Sequence, residues 1–236
     1  MRREIEEYLV GLRELFFPRF CPVCGRPLER DEKDFCLECF SDIPLTYFWD
    51  WEDNPLRRRL EEKCTVEYGA ALFHFRLESP YHYLMHRIKF EGGKNLGYRL
   101  GYLLGLYLKD GAGFGPVDVI VPVPLHPLRR FRRGYNQSQI IAAGIAAALG
   151  RPVCPELLKR CRWTRPQSGI SGSGKNRNVE GAFGIDEVQA EKLKNEGFRH
   201  ILLVDDTITT GSTISECVKV LPPFFKVSVA SLAFVG

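Results

Sequence analysis

Arg199-His-Ile-Leu-Leu-Val-Asp-Asp-Thr-Ile-Thr-Thr-Gly-Ser-Thr-Ile-Ser-Glu216 is the stretch that decides how this chain folds. Ile201 to Val204 are too short a run for a helix and too continuously apolar for a half-solvated strand, so they predict a strand buried on both faces. Asp205 and Asp206 are expected to end it. Thr207 to Thr213 is small and hydroxylated, and Gly211 is free to take positive φ where the backbone must curl. Ser212 or Thr213 is expected to cap a helix through about Val220, whose first N–H groups have no internal partner and point back into the loop. Buried strand, acidic pair, hydroxyl-rich loop and helix N-terminus make an anion cradle beside a diol or cation site, at a strand end of an α/β fold.

The chemistry of that cradle narrows its ligand. A phosphate in the loop meets backbone N–H groups and a helix end worth about half a positive charge, while Ser and Thr hydroxyls add neutral donors. Asp205 and Asp206 cannot share that phosphate, because ionised carboxylates only accept hydrogen bonds; their natural partners are sugar hydroxyls or Mg²⁺. A ribose 5-phosphate suits both halves. Ile201 to Thr213 also resembles the phosphoribosyl-pyrophosphate (PRPP) signature of type I phosphoribosyltransferases. That resemblance implies that Asp205 and Asp206 hold the ribose hydroxyls, and that Thr207, Thr209, Thr210, Gly211, Ser212 and Thr213 bind the 5-phosphate.

At 236 residues, 44% hydrophobic and with mixed charges, the chain has room for one substantial core and a small satellite. A formal charge of +4 does not itself announce nucleic acid. No stretch reaches the roughly 18 to 20 apolar residues of a membrane span, and Met1 onward lacks a signal-peptide core, so a cytoplasmic location is expected. There the eight cysteines serve as ligands and free thiols rather than disulfides.

Four of them stand as Cys21-Pro-Val-Cys24 and, eleven residues later, Cys36-Leu-Glu-Cys39. Each pair lets one turn chelate, and two such turns complete a tetrahedral four-sulfur shell for zinc. Gly25 fits the tight turn of such a knuckle. Four protein ligands leave no open position, so the zinc is expected to be structural. Cys64, Cys154, Cys161 and Cys217 have no ligand spacing and read as ordinary thiols.

Elsewhere, Ile5, Tyr8, Leu9, Leu12 and Phe16 form an apolar stripe on a charged N-terminal helix, expected to dock on the next module. Residues 42 to 63 read as a connector passing into a short charged helix, and Tyr68 to Phe75 as a strand. A helix opening at Ser79 or Pro80 carries Tyr81, Leu84, Met85 and Ile88 on one face and stops at Glu91-Gly-Gly93. His82 and His86 lack a third ligand and read as a solvated helix flank. Gly97, Gly101 and Gly105 lie on one face of a helix from Lys94 to Leu108 and predict close packing against another element.

Val117 to Val123 is a second buried strand, ended by prolines. Arg129, Arg130, Arg132 and Arg133 follow, between that strand end and a helix from about Gln137 to Leu149, where open parallel sheets bind ligands; guanidinium forks there suit a pyrophosphate. Residues 151 to 178 read as a basic, glycine-rich loop, Gly181 to Asp186 as a return to the fold, Glu187 to Gly197 as a short exposed helix, and Lys226 to Val235 as a last strand.

Asp118-Val-Ile-Val-Pro-Val-Pro-Leu-His-Pro, Arg132-Arg-Gly-Tyr-Asn-Gln-Ser138, the upstream Ile88-Lys-Phe-Glu-Gly92 and the four-cysteine module resemble, in their order, the ComF family of competence proteins. The resemblance implies a type I phosphoribosyltransferase-like parallel sheet flanked by helices over residues 46–236 and a zinc-ribbon module over 1–45. It implies PRPP and Mg²⁺ at the site, pentosyl transfer to an acceptor the sequence does not name, and a role in natural DNA uptake. Lys89, Pro124 and Leu125 then join the four arginines on the pyrophosphate. No catalytic residue is assigned. A loop within 160–180 would close over bound PRPP. The alternative is a non-catalytic accessory protein that kept the fold and binds single-stranded DNA through its basic segments and Phe131, Tyr135 and Trp163. A third reading makes the zinc module a docking platform for other DNA-uptake proteins.

Overall fold

The computed structural model of the chain describes residues 18–111, 113–127, 131, 133–161 and 181–236. The amphipathic stripe of residues 5–16 and most of the 151–178 loop lie outside them. In chain order the elements are α1 (Leu37–Ser41), α2 (Pro55–Glu61), β1 (Gly69–His74), α3 (His82–Phe90), α4 (Lys94–Asp110), β2 (Val119–Pro122), α5 (Gln137–Leu149), β3 (Leu158–Arg160), β4 (Phe183–Ile185), α6 (Glu187–Asn195), β5 (His200–Ile208), α7 (Ser212–Lys219) and β6 (Lys226–Phe234).

Four strands form one parallel sheet in the order β1-β6-β5-β2, with β3 and β4 a separate antiparallel pair. Parallel pairing requires crossovers, and these coat both faces with helices. The alternation along β5 shows the consequence: Leu202 and Val204 pack with α3, α4 and α5 on one face, Ile201 and Leu203 with α2, α6 and α7 on the other. All four are fully buried, as the apolar run predicts.

Two local expectations are corrected. The acids do not end β5, which runs on through Asp205, Asp206 and Thr207 to Ile208 because β6 supplies a ladder of equal length, pairing Asp205 with Ser231 and Ile208 with Phe234. Neither Ser212 nor Thr213 caps α7: Gly211 is the N-cap, at φ 73°, and no side chain bonds there. The Ser212 hydroxyl instead lies 3.0 Å from that of Thr210. The strand β3, in a segment read as loop, is an addition; its partner β4 supplies the pairing that its own three residues could not specify.

The glycine face of α4 behaves as predicted. A Cβ at Gly101 would collide with the Ile141 backbone, and one at Gly144 of α5 with the Tyr98 backbone. Such an approach brings α5 close across α4 and directs the α5 N-terminus toward the strand ends. On the other face, α2 is started by Pro55 and capped by Asn54, whose carboxamide accepts from the N–H groups of Leu56 and Arg57 and donates 2.8 Å to the Gly69 carbonyl. That buried amide fixes α2 to β1.

Candidate functional site

Pro122 of β2 pairs with Val204 of β5, so the residues that follow each strand open into one cleft. This is the crevice outside the carboxyl ends of a parallel sheet, where side chains from several elements converge. Its volume is about 270 Å³, and it is lined by Val123, Pro124 and Leu125 after β2, by Arg133 and Asn136 to Ser138 at the start of α5, by Lys89, Arg160, Asp205, Asp206, Thr207, Thr209 and Thr213. Arg129, Arg130 and Arg132 lie outside the described residues.

Adjacent residues of a strand point to opposite faces, which gives the two acids different neighbours. Asp206 meets Lys89 of α3, whose Nζ is 3.3 Å from its Oδ1 and 3.2 Å from the Thr207 hydroxyl. Asp205 accepts from the Ser138 hydroxyl at 3.0 Å and from the Asp206 N–H at 2.9 Å. Burial, reinforced by the Asp206 charge, pushes the Asp205 carboxyl up to about 7 against the pull of these donors. Arg160 of β3 is affected in the complementary sense: burial lowers its pKa and the Asp205 charge opposes that.

A carboxyl raised from 3.8 toward 7 holds its proton in the folded state while the unfolded chain has lost it, so stability falls as pH rises across that interval and the full penalty is present above it. Asp205→Asn removes the charge. It is expected to stabilise the protein by about 2 kcal/mol at pH 8, roughly 4–8 °C in melting temperature, and to leave it near wild type at pH 4. Equal melting temperatures for both proteins at pH 8 would contradict the buried charge.

The hollow beside the acids is lined by Asp205 and by residues 207 to 214. Gly211 makes the turn, and Leu60 of α2 packs so closely beneath it that a Cβ would come within 2.8 Å of Leu60 Cδ2. Two N-termini, of α7 and of α5, therefore face the cleft from either side of the acid pair. On the α5 side the Asn136 side chain accepts from the Ser138 N–H. Gln137 is buried, its Oε1 accepts from Arg133 at 3.1 Å, and its Nε2 has no partner among the described residues. Arg133 lies over the ring of Phe90, 5.0 Å from its centroid.

Sequence reasoning assigned no role to Asn136, Gln137, Ser138 or Arg160. The first three carry a signal, polar residues at a helix start just beyond a strand end. Arg160 carries none, because the β3–β4 pair brings it to the cleft. Tyr135 does not serve the single-strand reading: it is buried, with its hydroxyl on the Ile88 carbonyl, so no base can stack on it. Phe131 is 89% exposed, and Trp163 lies outside the described residues.

The four-cysteine group stands apart from the cleft. The sulfurs of Cys21, Cys24, Cys36 and Cys39 all lie within 4.8 Å of one another. A tetrahedral zinc with bonds of about 2.3 Å places its sulfurs about 3.8 Å apart, so the donor set fits with slight contraction. Gly25 turns the first knuckle at φ 75°, and its N–H reaches the Cys21 carbonyl at 2.8 Å. Backbone N–H groups also point at sulfur, Cys36 N–H at Cys21 Sγ (3.4 Å) and Cys39 N–H at Cys36 Sγ (3.5 Å). Burial raises the Cys21 thiol, but the N–H groups of Cys36, Cys24 and Val23 outweigh it and bring the thiol down to about 7, while burial and the neighbouring thiols push Cys39 up, so without a metal the four sulfurs share few negative charges. His82 and His86 form no such group: His82 Nδ1 is 2.8 Å from the Ser79 carbonyl and His86 Nδ1 3.0 Å from Glu91. Among the described residues no helix is long and apolar enough to cross a membrane.

The architecture is thus an α/β protein with a strand-end cleft holding an acid pair and two helix N-termini, joined to a four-cysteine module. Competence protein F of Haemophilus influenzae is 34% identical to it over 191 residues, covering 79% of this chain and 78% of that protein. Two proteins called DNA utilization protein YhgH align over 204 residues, covering 85% of this chain and 83% of each. That of Salmonella typhimurium is 33% identical and that of Escherichia coli K12 is 30% identical. No protein-family model matches the chain. The chain belongs to the ComF family.

Proposed function

We propose that this protein binds PRPP in the strand-end cleft as a type I phosphoribosyltransferase-like protein that works in DNA uptake. The observation that carries the reading is the arrangement of charge: the acid pair Asp205 and Asp206 lies between two donor-rich helix starts, the Thr209–Thr213 loop on one side and Arg133 with Gln137 on the other. A ligand with two separated anionic groups and a diol between them matches that order. PRPP has a 5-phosphate, two ring hydroxyls and a 1-pyrophosphate.

In this reading Asp205 and Asp206 accept from the ribose hydroxyls and the 207–213 loop cradles the 5-phosphate. The loop at Pro124 and Leu125, with Arg129, Arg130, Arg132 and Arg133, takes the pyrophosphate. Lys89, held between Asp206 and Thr207, joins these groups on the pyrophosphate. Gln137, which lines the cleft, carries in its buried Nε2 a donor with no partner among the described residues. Oxygen-only acids suit a hard cation, and Mg²⁺ arriving with PRPP would neutralise charge on the leaving pyrophosphate. The protein's own part is to hold the sugar in place and to stabilise charge as an oxocarbenium-like carbon is attacked, so no general base is assigned. The cysteine module takes a structural zinc. The names of the Haemophilus and enteric relatives support DNA uptake as the setting.

Calorimetric titration of PRPP is expected to show micromolar binding that requires Mg²⁺. Protein that binds no PRPP with or without Mg²⁺ would sink this reading. The result would favour the accessory reading, for which the exposed Phe131 remains as a stacking platform and which requires single-stranded DNA binding that weakens steeply with salt.

A further inference from the structure

Helix α2 is the short charged helix expected at the end of the connector, and two cations at its end reach across the fold to the 5-phosphate loop. Arg59 NH1 donates to the Thr209 carbonyl at 2.7 Å and also to the Val235 carbonyl, and its guanidinium stacks 4.3 Å from the centroid of Phe234. Lys63, just beyond α2, donates to the Thr210 carbonyl, and its own carbonyl accepts from Ser215 of α7 at 3.3 Å. Neither cation lines the cleft or the adjoining hollow.

The two carbonyls belong to consecutive peptide groups, whose N–H groups are those of Thr210 and Gly211. A planar trans peptide sets its N–H opposite its C=O. With both carbonyls drawn outward by cations, the N–H groups of Thr210 and Gly211 face the other way, and no described backbone carbonyl accepts either of them. A cation on a carbonyl oxygen also polarises the peptide and strengthens its N–H as a donor. Leu60, pressed under Gly211, keeps the loop from sinking toward α2.

Resting on the functional reading above, we infer that Arg59 and Lys63 are positioning residues for the phosphate site, clamping two loop carbonyls from behind so that positive charge reaches the anion through the peptide groups. The cradle gains the electrostatics of two cations while its interior contains only backbone donors and small hydroxyls. A bare phosphate dianion fits such a lining, and the cations stay paired when the site is empty.

Lys63 gives the cleaner test, because Arg59 also supports Phe234 and Val235. Wild type, Lys63→Met, Lys63→Gln and Lys63→Arg proteins are titrated calorimetrically with ribose 5-phosphate and with inorganic phosphate, and their melting temperatures are compared. The expected result is a loss of about tenfold or more in affinity for both ligands in Lys63→Met and Lys63→Gln, recovery to within about threefold in Lys63→Arg, and melting temperatures that do not follow this order. The Gln side chain can still donate to the Thr210 carbonyl, so wild-type affinity in Lys63→Gln overturns the charge relay. Wild-type affinity in Lys63→Met overturns the clamp altogether while leaving the functional reading intact. Wild-type protein that binds neither ligand overturns both.

Discussion

Asp205→Asn/Asp206→Asn protein is expected to keep its fold and to bind PRPP about 10- to 1000-fold more weakly than wild type. Each carboxylate offers a charge-assisted acceptor to a sugar hydroxyl, an interaction worth about 1.5–3 kcal/mol where a neutral one contributes about 1, so exchanging two costs about 1–4 kcal/mol. The amide also presents N–H₂ where a hydroxyl wants an acceptor. The fold survives because the backbone bonds of both residues to β6 are unchanged and Asp205→Asn removes a buried charge. Two internal links do change, the Lys89 to Asp206 contact and the Ser138 to Asp205 bond. Both lie in the cleft, and the asparagine oxygen can still accept from each. Calorimetry reads the affinity and circular dichroism the fold. PRPP binding unchanged by the double substitution would remove the acid pair from the site, and with it the assignment of sugar and phosphate to their places.

The second large effect concerns the metal. Cys36→Ser, or stripping of the metal with a strong chelator, is expected to unfold the 21–39 module while the parallel sheet stays intact. The module has little core of its own: its buried apolar cluster is the cysteines Cys21, Cys36 and Cys39 with Val23, Leu28 and Phe35 beside them. In comparable small sites the metal supplies on the order of 10 kcal/mol of folding free energy, far beyond what those few side chains contribute. The main body has two clusters, one on each face of the sheet, that do not need the cysteines. The two parts meet through Val23 and Phe35, which also pack against the main-body core, and through polar contacts such as Tyr81 with the Cys39 carbonyl at 2.9 Å and Arg99 with Asp34 at 2.6 Å. Metal analysis should give one zinc per chain in the wild type and none in Cys36→Ser, with amide exchange accelerated across 21–39 and little altered in β5 and β6. Slow exchange at 21–39 in metal-free protein would show that the cluster is not what folds the module.

Much of the fold is legible in short windows. An unbroken apolar run of four in Ile201–Val204, prolines 122 and 124 at the end of β2, glycines every four residues in 97–105 and a pair of C-x₂-C knuckles each record a local constraint that one element imposes on its own residues. The errors near β5 are of the opposite kind. The two aspartates have little intrinsic reason to extend a strand, and the length of β6 alongside carries β5 through them to Thr207 and Ile208. The helix after the loop was assigned a hydroxyl cap, as its Ser and Thr invite; the backbone instead uses Gly211 in the left-handed region, because Leu60 occupies the space a Cβ would need.

By itself, then, the amino-acid order determined the buried strand, the acid pair, the small loop and helix behind it, and the four sulfurs, because each is set by residues within a few positions of one another. Tertiary structure alone decided which other groups surround the acids. Lys89 arrives 117 positions before Asp206, Arg160 arrives through a strand pair three residues long, and Arg59 and Lys63 reach the loop across about 150 positions. Such meetings depend on sheet register and on how closely α4 and α5 approach. Those are sums over the whole core and leave no mark on the local sequence of the residues they bring together.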